Sequence, residues 1–184
     1  MKIIGISGSP REKNTNYMLK AVLDATGQDY ELIHLKDLEI KPCSACKGCH
    51  KTFKCIVEDG MQNLYQQMLE ADYIVLGSPT YFDNVSGIMK NFMDRCLPFY
   101  ISNKLRNKKV ALVTVGNYKG GEKLRGNQNI DQVAEINSVE KCLHTLESFC
   151  AHLGLKVIGS AYAIRSNPQE KEEELLKLGK KLIS

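Results

Sequence analysis

Apolar positions along this chain fall into two alternating kinds of run. Ile3-Ile4-Gly5-Ile6, Tyr30 to Leu35, Tyr73 to Leu76, Val110 to Val115 and Val157 to Ile164 are short, mostly apolar runs that read as strands. Between them the apolar residues recur at helical spacing. Met18, Leu19, Val22 and Leu23 form one such face, closed by Gly27, and Leu64, Met68 and Leu69 form a second. Val85, Ile88, Met89, Phe92, Met93 and Cys96 make a third stripe, and Val133 to Leu153 a longer one ending at Gly154. A last helix opens with Asn167 as N-cap, Pro168 at its first position and Glu170 as the capping-box acid, with Glu172 to Glu174 early and Lys180 and Lys181 late. Five strands alternating with five helices predict an α/β fold, a doubly wound five-stranded parallel sheet with helices on both faces. Such folds hold ligands at the carboxyl ends of their strands.

The 184 residues and 43% apolar content suffice for one domain over 1–184 with a full core. The run Ile3 to Ile6 is too short for a signal peptide or a membrane span, so the sequence reads as cytoplasmic. The net charge of +4 arises from 25 basic and 21 acidic residues spread without a Lys/Arg block, which argues against a nucleic-acid partner and leaves a small anion as the fitting ligand.

The loop after the first strand, Ser7-Gly8-Ser9-Pro10-Arg11-Glu12-Lys13-Asn14-Thr15-Asn16, has the makings of a phosphate site. Gly8 and the small hydroxyl residues allow close backbone approach, the helix amino end offers N–H groups and a positive dipole, and Arg11 adds a forked cation. Neither the Gly-x-Gly-x-x-Gly pattern nor a Walker loop occurs there. The same residues also serve simply to turn the chain and cap a helix. The loop after the third strand carries two aromatics, Tyr81 and Phe82, among Thr80, Asp83 and Asn84; a flat ring could lie against it, or the aromatics could tuck into the core.

Together, "GSPREKNTN" and "GSPTYFDNVSGIMKNFMDR" resemble the flavodoxin-like NAD(P)H-dependent FMN reductase family over most of the chain. The resemblance implies that Ser9, Arg11, Asn14, Thr15 and Asn16 hold the FMN phosphate. It also implies that Pro79, Thr80, Tyr81, Phe82, Asp83 and Asn84 hold the ribityl chain and one edge of the ring. The Gly- and Asn-rich stretch from Gly116 to Gln132 reads as a flap over the flavin or as an ordinary surface insertion. Family members often have Gly where this chain has Asp83, so a carboxylate is expected near the flavin.

Between the second strand and the next helix, four of the seven cysteines fall within thirteen positions as C-x2-C-x2-C-x5-C, through Cys43, Cys46, Cys49 and Cys55. An odd cysteine count in a reducing compartment argues against a disulfide framework. The connection is much longer than the about 2 to 6 residues usual in such folds, so something should order it. Close-set thiolates suit a cubane cluster better than structural zinc, which separates its ligand pairs further; free thiols stay open as a third reading. The run is similar to the cysteine motif of the iron-sulfur flavoproteins, a branch of the same family, and that likeness implies a 4Fe-4S cluster serving the flavin. Cys96, Cys142 and Cys150 sit on apolar stripes and read as core.

The reading that follows is an FMN-dependent oxidoreductase. It would pass electrons between a reduced donor (ferredoxin or NAD(P)H), FMN, a 4Fe-4S cluster and a small-molecule acceptor. The alternatives are a cluster-free NAD(P)H-dependent FMN or quinone reductase, and a flavin- or zinc-binding module without turnover. Family likeness further implies a homodimer or homotetramer. Because every one of these loops follows a strand, and adjacent strands lie about 4.8 Å apart, the cysteine loop is expected on the same sheet edge as the phosphate turn, close to the flavin of its own subunit or of a packed partner.

Overall fold

The protein is described from a computed structural model, which describes residues 1–116, 118, 132–164 and 167–184. Strands β1 (Ile3–Ser7), β2 (Tyr30–His34), β3 (Tyr73–Tyr81), β4 (Asn84–Val85), β5 (Lys109–Val115) and β6 (Lys156–Ala163) make a sheet of order β2-β1-β3-β5-β6, with β4 attached to β3. All pairings along that path are parallel, and β3–β4 is antiparallel. The five predicted strands are all present. The sixth, β4, escapes an apolar-run search because it is two residues long and is made by the turn that precedes it.

Among the described residues seven helices accompany the strands: α1 (Asn14–Asp24), α2 (Cys49–Thr52), α3 (Met61–Glu70), α4 (Gly87–Arg95), α5 (Leu97–Ser102), α6 (Gln132–His152) and α7 (Glu172–Ile183). Alternation along each strand divides the core into two layers. Ile4, Ile6, Ile74, Leu76, Val110 and Leu112 pack with residues of α3, α4, α5 and α6. Ile3, Val75, Ala111 and Val113 point the other way, onto Met18, Leu19, Val22 and Leu23 of α1 and Leu175, Leu178 and Leu182 of α7.

Three local expectations are corrected. The third stripe is not one helix: Val85 belongs to β4, Ser86 caps α4, and Pro98, at the start of α5, accompanies a second short helix. Asn167 does not cap α7; its Nδ2 donates to Glu170 Oε1 at 2.5 Å, and a short 3-10 turn over Pro168–Lys171 precedes the helix. Val133 lies 60% exposed rather than in the buried stripe of α6.

The order fixes where a ligand can lie. From β1 the chain crosses to β2 on one side, whereas β3 lies on the other, and a doubly wound sheet opens a crevice at the carboxyl ends of such a forked pair. Among the described residues no helix is long and apolar enough to cross a membrane.

Candidate functional site

At the β1/β3 fork the loops after the two strands are tied together. Gly8 N donates to Gly77 O at 2.8 Å, and Ser86 Oγ donates to Gly8 O at 2.5 Å. The same Ser86 Oγ accepts from Met89 N at 3.1 Å as the N-cap of α4, while Ser86 N donates to Ser78 Oγ at 3.1 Å. One hydroxyl thus fixes the start of α4 and the first loop in a single geometry. A Cβ on Gly8 would stand 2.7 Å from Cβ of Met89, so this turn sits against α4 only because residue 8 has no side chain.

Within the first loop Ser9 Oγ donates to Arg11 O at 2.6 Å, Arg11 N donates to Ser9 Oγ at 3.1 Å, and Ser7 Oγ donates to Asn16 Oδ1 at 2.6 Å. Ser9, Thr15 and Asn16 are buried, Asn14 is half-buried and Arg11 is exposed. Among the described residues no side chain caps the amino end of α1, and its first turn holds no acidic residue, which suits the positive end of the helix dipole to an anion. His34 Nδ1 lies 3.3 Å from Asn16 Nδ2, a contact that no sequence pattern marks.

The loop after β3 is a tight hairpin. Thr80 pairs with Val85 and Tyr81 with Asn84, leaving Phe82 and Asp83 as a two-residue turn with φ of 49° and 62°. A left-handed aromatic is an uncommon choice, and Phe82 carries its whole side chain in solvent, with Tyr81 also exposed. Neither aromatic tucks into the core. Pro79 is buried and Thr80 half-buried; Thr80 Oγ1 is inaccessible and has no hydrogen-bond partner among the described residues. Asp83 does not present a bare carboxylate: Lys141 Nζ of α6 bridges it at 2.6 Å, and hydrogen bonding from Lys141 and then Ser138 lowers its pKa. At the end of β5, Gly116 N donates to Ala163 O at 2.9 Å, and a Cβ on Gly116 would stand 2.4 Å from Glu135 Oε1, which keeps this edge flat. The flap expected over 116–132 lies, apart from residues 116, 118 and 132, outside the described residues.

The cysteine loop departs from its expected place. Instead of staying at the carboxyl edge it runs along the outer side of α4: Asn91 Nδ2 donates to Ile40 O, and Arg95 Nη1 donates to Lys41 O at 2.7 Å. From Ser86 to Arg95 the helix advances about 13 Å at roughly 1.5 Å per residue, so the cysteines lie about a helix length from the fork. Strand order alone could not show this, because the side chains of α4 capture the loop.

Cys43, Cys46, Cys49 and Cys55 line one cavity of about 220 Å³, together with Arg95, Leu97 and Pro98 from the α4–α5 junction. Cys49 is buried at the start of α2, Cys55 is half-buried, and Cys43 and Cys46 are exposed. Ala45, Lys47 and Phe53 have φ of 52°, 59° and 56°, so the chain takes three left-handed non-glycine turns around the thiols. Burial raises the pKa of the Cys49 thiol, and the thiols of Cys55, Cys43 and Cys46 add to the rise. Such mutual repulsion among thiolates is relieved by a cation between them, which makes this a fitting donor set for an iron-sulfur group. Among the described residues no three metal-ligating side chains stand close enough to form a ready-made coordination set.

The loop is anchored by a residue to which no sequence pattern points. Arg95 is 1% exposed; its Nη1 and Nη2 donate to Asp59 Oδ2 and Oδ1 at 2.6 and 3.1 Å, and Nη2 also donates to Val57 O at 3.3 Å and Cys55 Sγ at 3.4 Å. Asp59 further accepts from Lys41 N at 2.9 Å and Met61 N at 3.0 Å. Burial works to raise the Asp59 pKa, but the Arg95 guanidinium and the two backbone donors outweigh it and leave it lowered. The remaining cysteines, Cys96, Cys142 and Cys150, are buried core residues; burial raises the Cys142 pKa to about 11 and the Cys150 pKa to about 12.

Comparison with known proteins agrees with this geometry. The sequence matches the NADPH-dependent FMN reductase family over residues 1–169. An iron-sulfur flavoprotein of Methanocaldococcus jannaschii is 38% identical over 186 residues, covering 99% of this chain and 95% of that protein. An iron-sulfur flavoprotein of Archaeoglobus fulgidus is 43% identical over 126 residues, and there the match spans only 66% of this chain and 62% of the relative. Among solved structures, a flavone reductase superposes with a TM-score of 0.71 at 20% identity over 99% of this chain and 62% of its own. An archaeal flavodoxin superposes with a TM-score of 0.61 at 16% identity over 99% of this chain and 96% of its own, and both likenesses speak for the fold alone. With the family match running across both loops of the fork and through the cysteine segment, the chain belongs to the NADPH-dependent FMN reductase family, flavin-dependent oxidoreductases of flavodoxin-like fold, and within it to the iron-sulfur flavoproteins.

Proposed function

We propose that this protein binds FMN at the β1/β3 fork and a 4Fe-4S cluster on Cys43, Cys46, Cys49 and Cys55, and moves electrons from a reduced donor such as ferredoxin or NAD(P)H to a small-molecule acceptor. The observation that carries this reading is the convergence of all four thiols on one cavity, in a chain whose fold opens a ligand crevice elsewhere. Bound FMN would supply hydride and single-electron chemistry, and a cluster single-electron chemistry.

The chain's own residues do the rest. The amino end of α1, with Ser9, Thr15, Asn16 and the exposed Arg11, provides for a phosphate; Ser86 holds the turn at the spacing that Gly8 permits. The hairpin strand at Pro79 and Thr80 borders the place of the ribityl chain, and Tyr81 and Phe82 offer exposed rings to an isoalloxazine edge. Lys141 neutralises Asp83, so the hairpin does not bring an uncompensated negative charge to reduced flavin. Arg95 and Asp59 hold the cysteine loop against α4. Assembly into a homodimer or homotetramer, as family likeness implies, belongs to the same proposal.

Iron and acid-labile sulfide analysis of anaerobically purified protein, read beside its visible spectrum, tests this directly. Four irons and four sulfides per chain with one FMN are expected, and Cys46→Ser or Cys49→Ser should remove the iron while FMN stays. FMN without iron in the wild type would instead support the second reading, a cluster-free NAD(P)H-dependent FMN or quinone reductase, which the exposure of Cys43 and Cys46 favours.

A further inference from the structure

We propose that Arg95 is a positioning residue that tunes the cluster's reduction potential through Cys55, an inference that rests on the cluster reading above. An arginine at 1% exposure costs several kcal/mol in lost hydration before its partners repay it, and a clamp made only to hold a loop is served as well by apolar packing. Arg95 spends its bonds otherwise. Nη1 takes Lys41 O and Asp59 Oδ2, while Nη2 takes Asp59 Oδ1, Val57 O and the sulfur of Cys55. Its Nε is buried with no hydrogen-bond partner among the described residues, and the side chain lines the wall of the cysteine cavity.

The pair Arg95–Asp59 carries no net charge, yet the atom that meets Cys55 belongs to its positive member. Hydrogen bonds to ligand sulfurs and nearby charge are what set the potential of a thiolate-held iron centre. Reduction adds one electron to the cavity and breaks no bond, so a fixed N–H donor and a positive charge at Cys55 favour the reduced form. Asp59 moderates that effect by facing the same guanidinium.

Redox titration of the iron-loaded wild type, Arg95→Gln, Arg95→Lys and Asp59→Asn, followed by electron paramagnetic resonance of the reduced cluster, separates tuning from mere support. Arg95→Gln should shift the one-electron equilibrium at least tenfold toward the oxidised form, about 59 mV more negative. Arg95→Lys keeps the charge and should shift it less in the same direction. Asp59→Asn leaves the guanidinium uncompensated and should move the potential more positive. Loss of loop support would disturb both sides of the pair alike, so opposite signs mark tuning. Potentials that do not move, or an Asp59→Asn shift in the same direction as the Arg95 variants, would overturn the proposal. If Arg95→Gln assembles no cluster, the comparison of Arg95→Lys with Asp59→Asn decides by the same signs. A wild type without iron overturns the cluster reading and this proposal together, whereas an iron-loaded wild type with invariant potentials overturns only this one.

Discussion

Ser86→Ala removes one oxygen and should damage two elements. The hydroxyl is 1% exposed, donates to Gly8 O at 2.5 Å and accepts from Met89 N at 3.1 Å. Loss of an N-cap costs about 1 kcal/mol, and a buried carbonyl left without its donor costs about 1–3 kcal/mol. The sum is about 2–4 kcal/mol, a large share of the roughly 5–15 kcal/mol that a domain of this kind possesses. Because Gly8 belongs to the phosphate turn, FMN affinity should fall along with stability. Urea unfolding of the FMN-free protein measures the first effect, and quenching of FMN fluorescence on titration measures the second. Ser86→Thr keeps both functions of the hydroxyl and should recover more than half of each loss. A Ser86→Ala protein within about 0.5 kcal/mol of the wild type, the usual scatter of neutral surface changes, would refute the reasoning that this hydroxyl ties the two loops together.

Two further outcomes follow from the same geometry. Arg11→Ala should weaken FMN about tenfold or more, the worth of one charge-assisted hydrogen bond of about 1.5–3 kcal/mol, while unfolding of the FMN-free protein changes little because Arg11 is exposed; unaltered affinity in the fluorescence titration would place the phosphate elsewhere. Asp83 has a pKa lowered from 3.8 by its bond to Lys141, so its contribution to stability is present above that ordinary value and disappears as pH falls through the lower folded one; Asp83→Asn should therefore be slightly less stable than the wild type at pH 7, with the gap narrowing as pH falls below 3.8 or in 1 M salt, and a gap that does not narrow in acid would contradict the assignment.

The alternation of apolar runs by itself determined the sheet and its two helix layers. Ile3 and Ile4 must face opposite ways because successive side chains of a strand alternate, and a run apolar at both needs cover on both faces. The turn after β1 and the start of α1 were legible for a similar reason, since Ser9 turns the chain through its bonds with Arg11, a geometry that neighbouring residues specify. The burial of Cys96, Cys142 and Cys150 followed from helical spacing alone. Other features depend on contacts between distant parts of the chain, which no local pattern encodes. Ser86 reaches Gly8 across 78 residues, Lys141 meets Asp83 across 58, and Arg95 reaches Cys55 and Asp59 across 40 and 36. The spacing of the four cysteines was legible, but the place of their loop depends on Arg95: a buried charged group at the end of α4 must satisfy its donors, and it does so by holding the loop against that helix, away from the sheet edge.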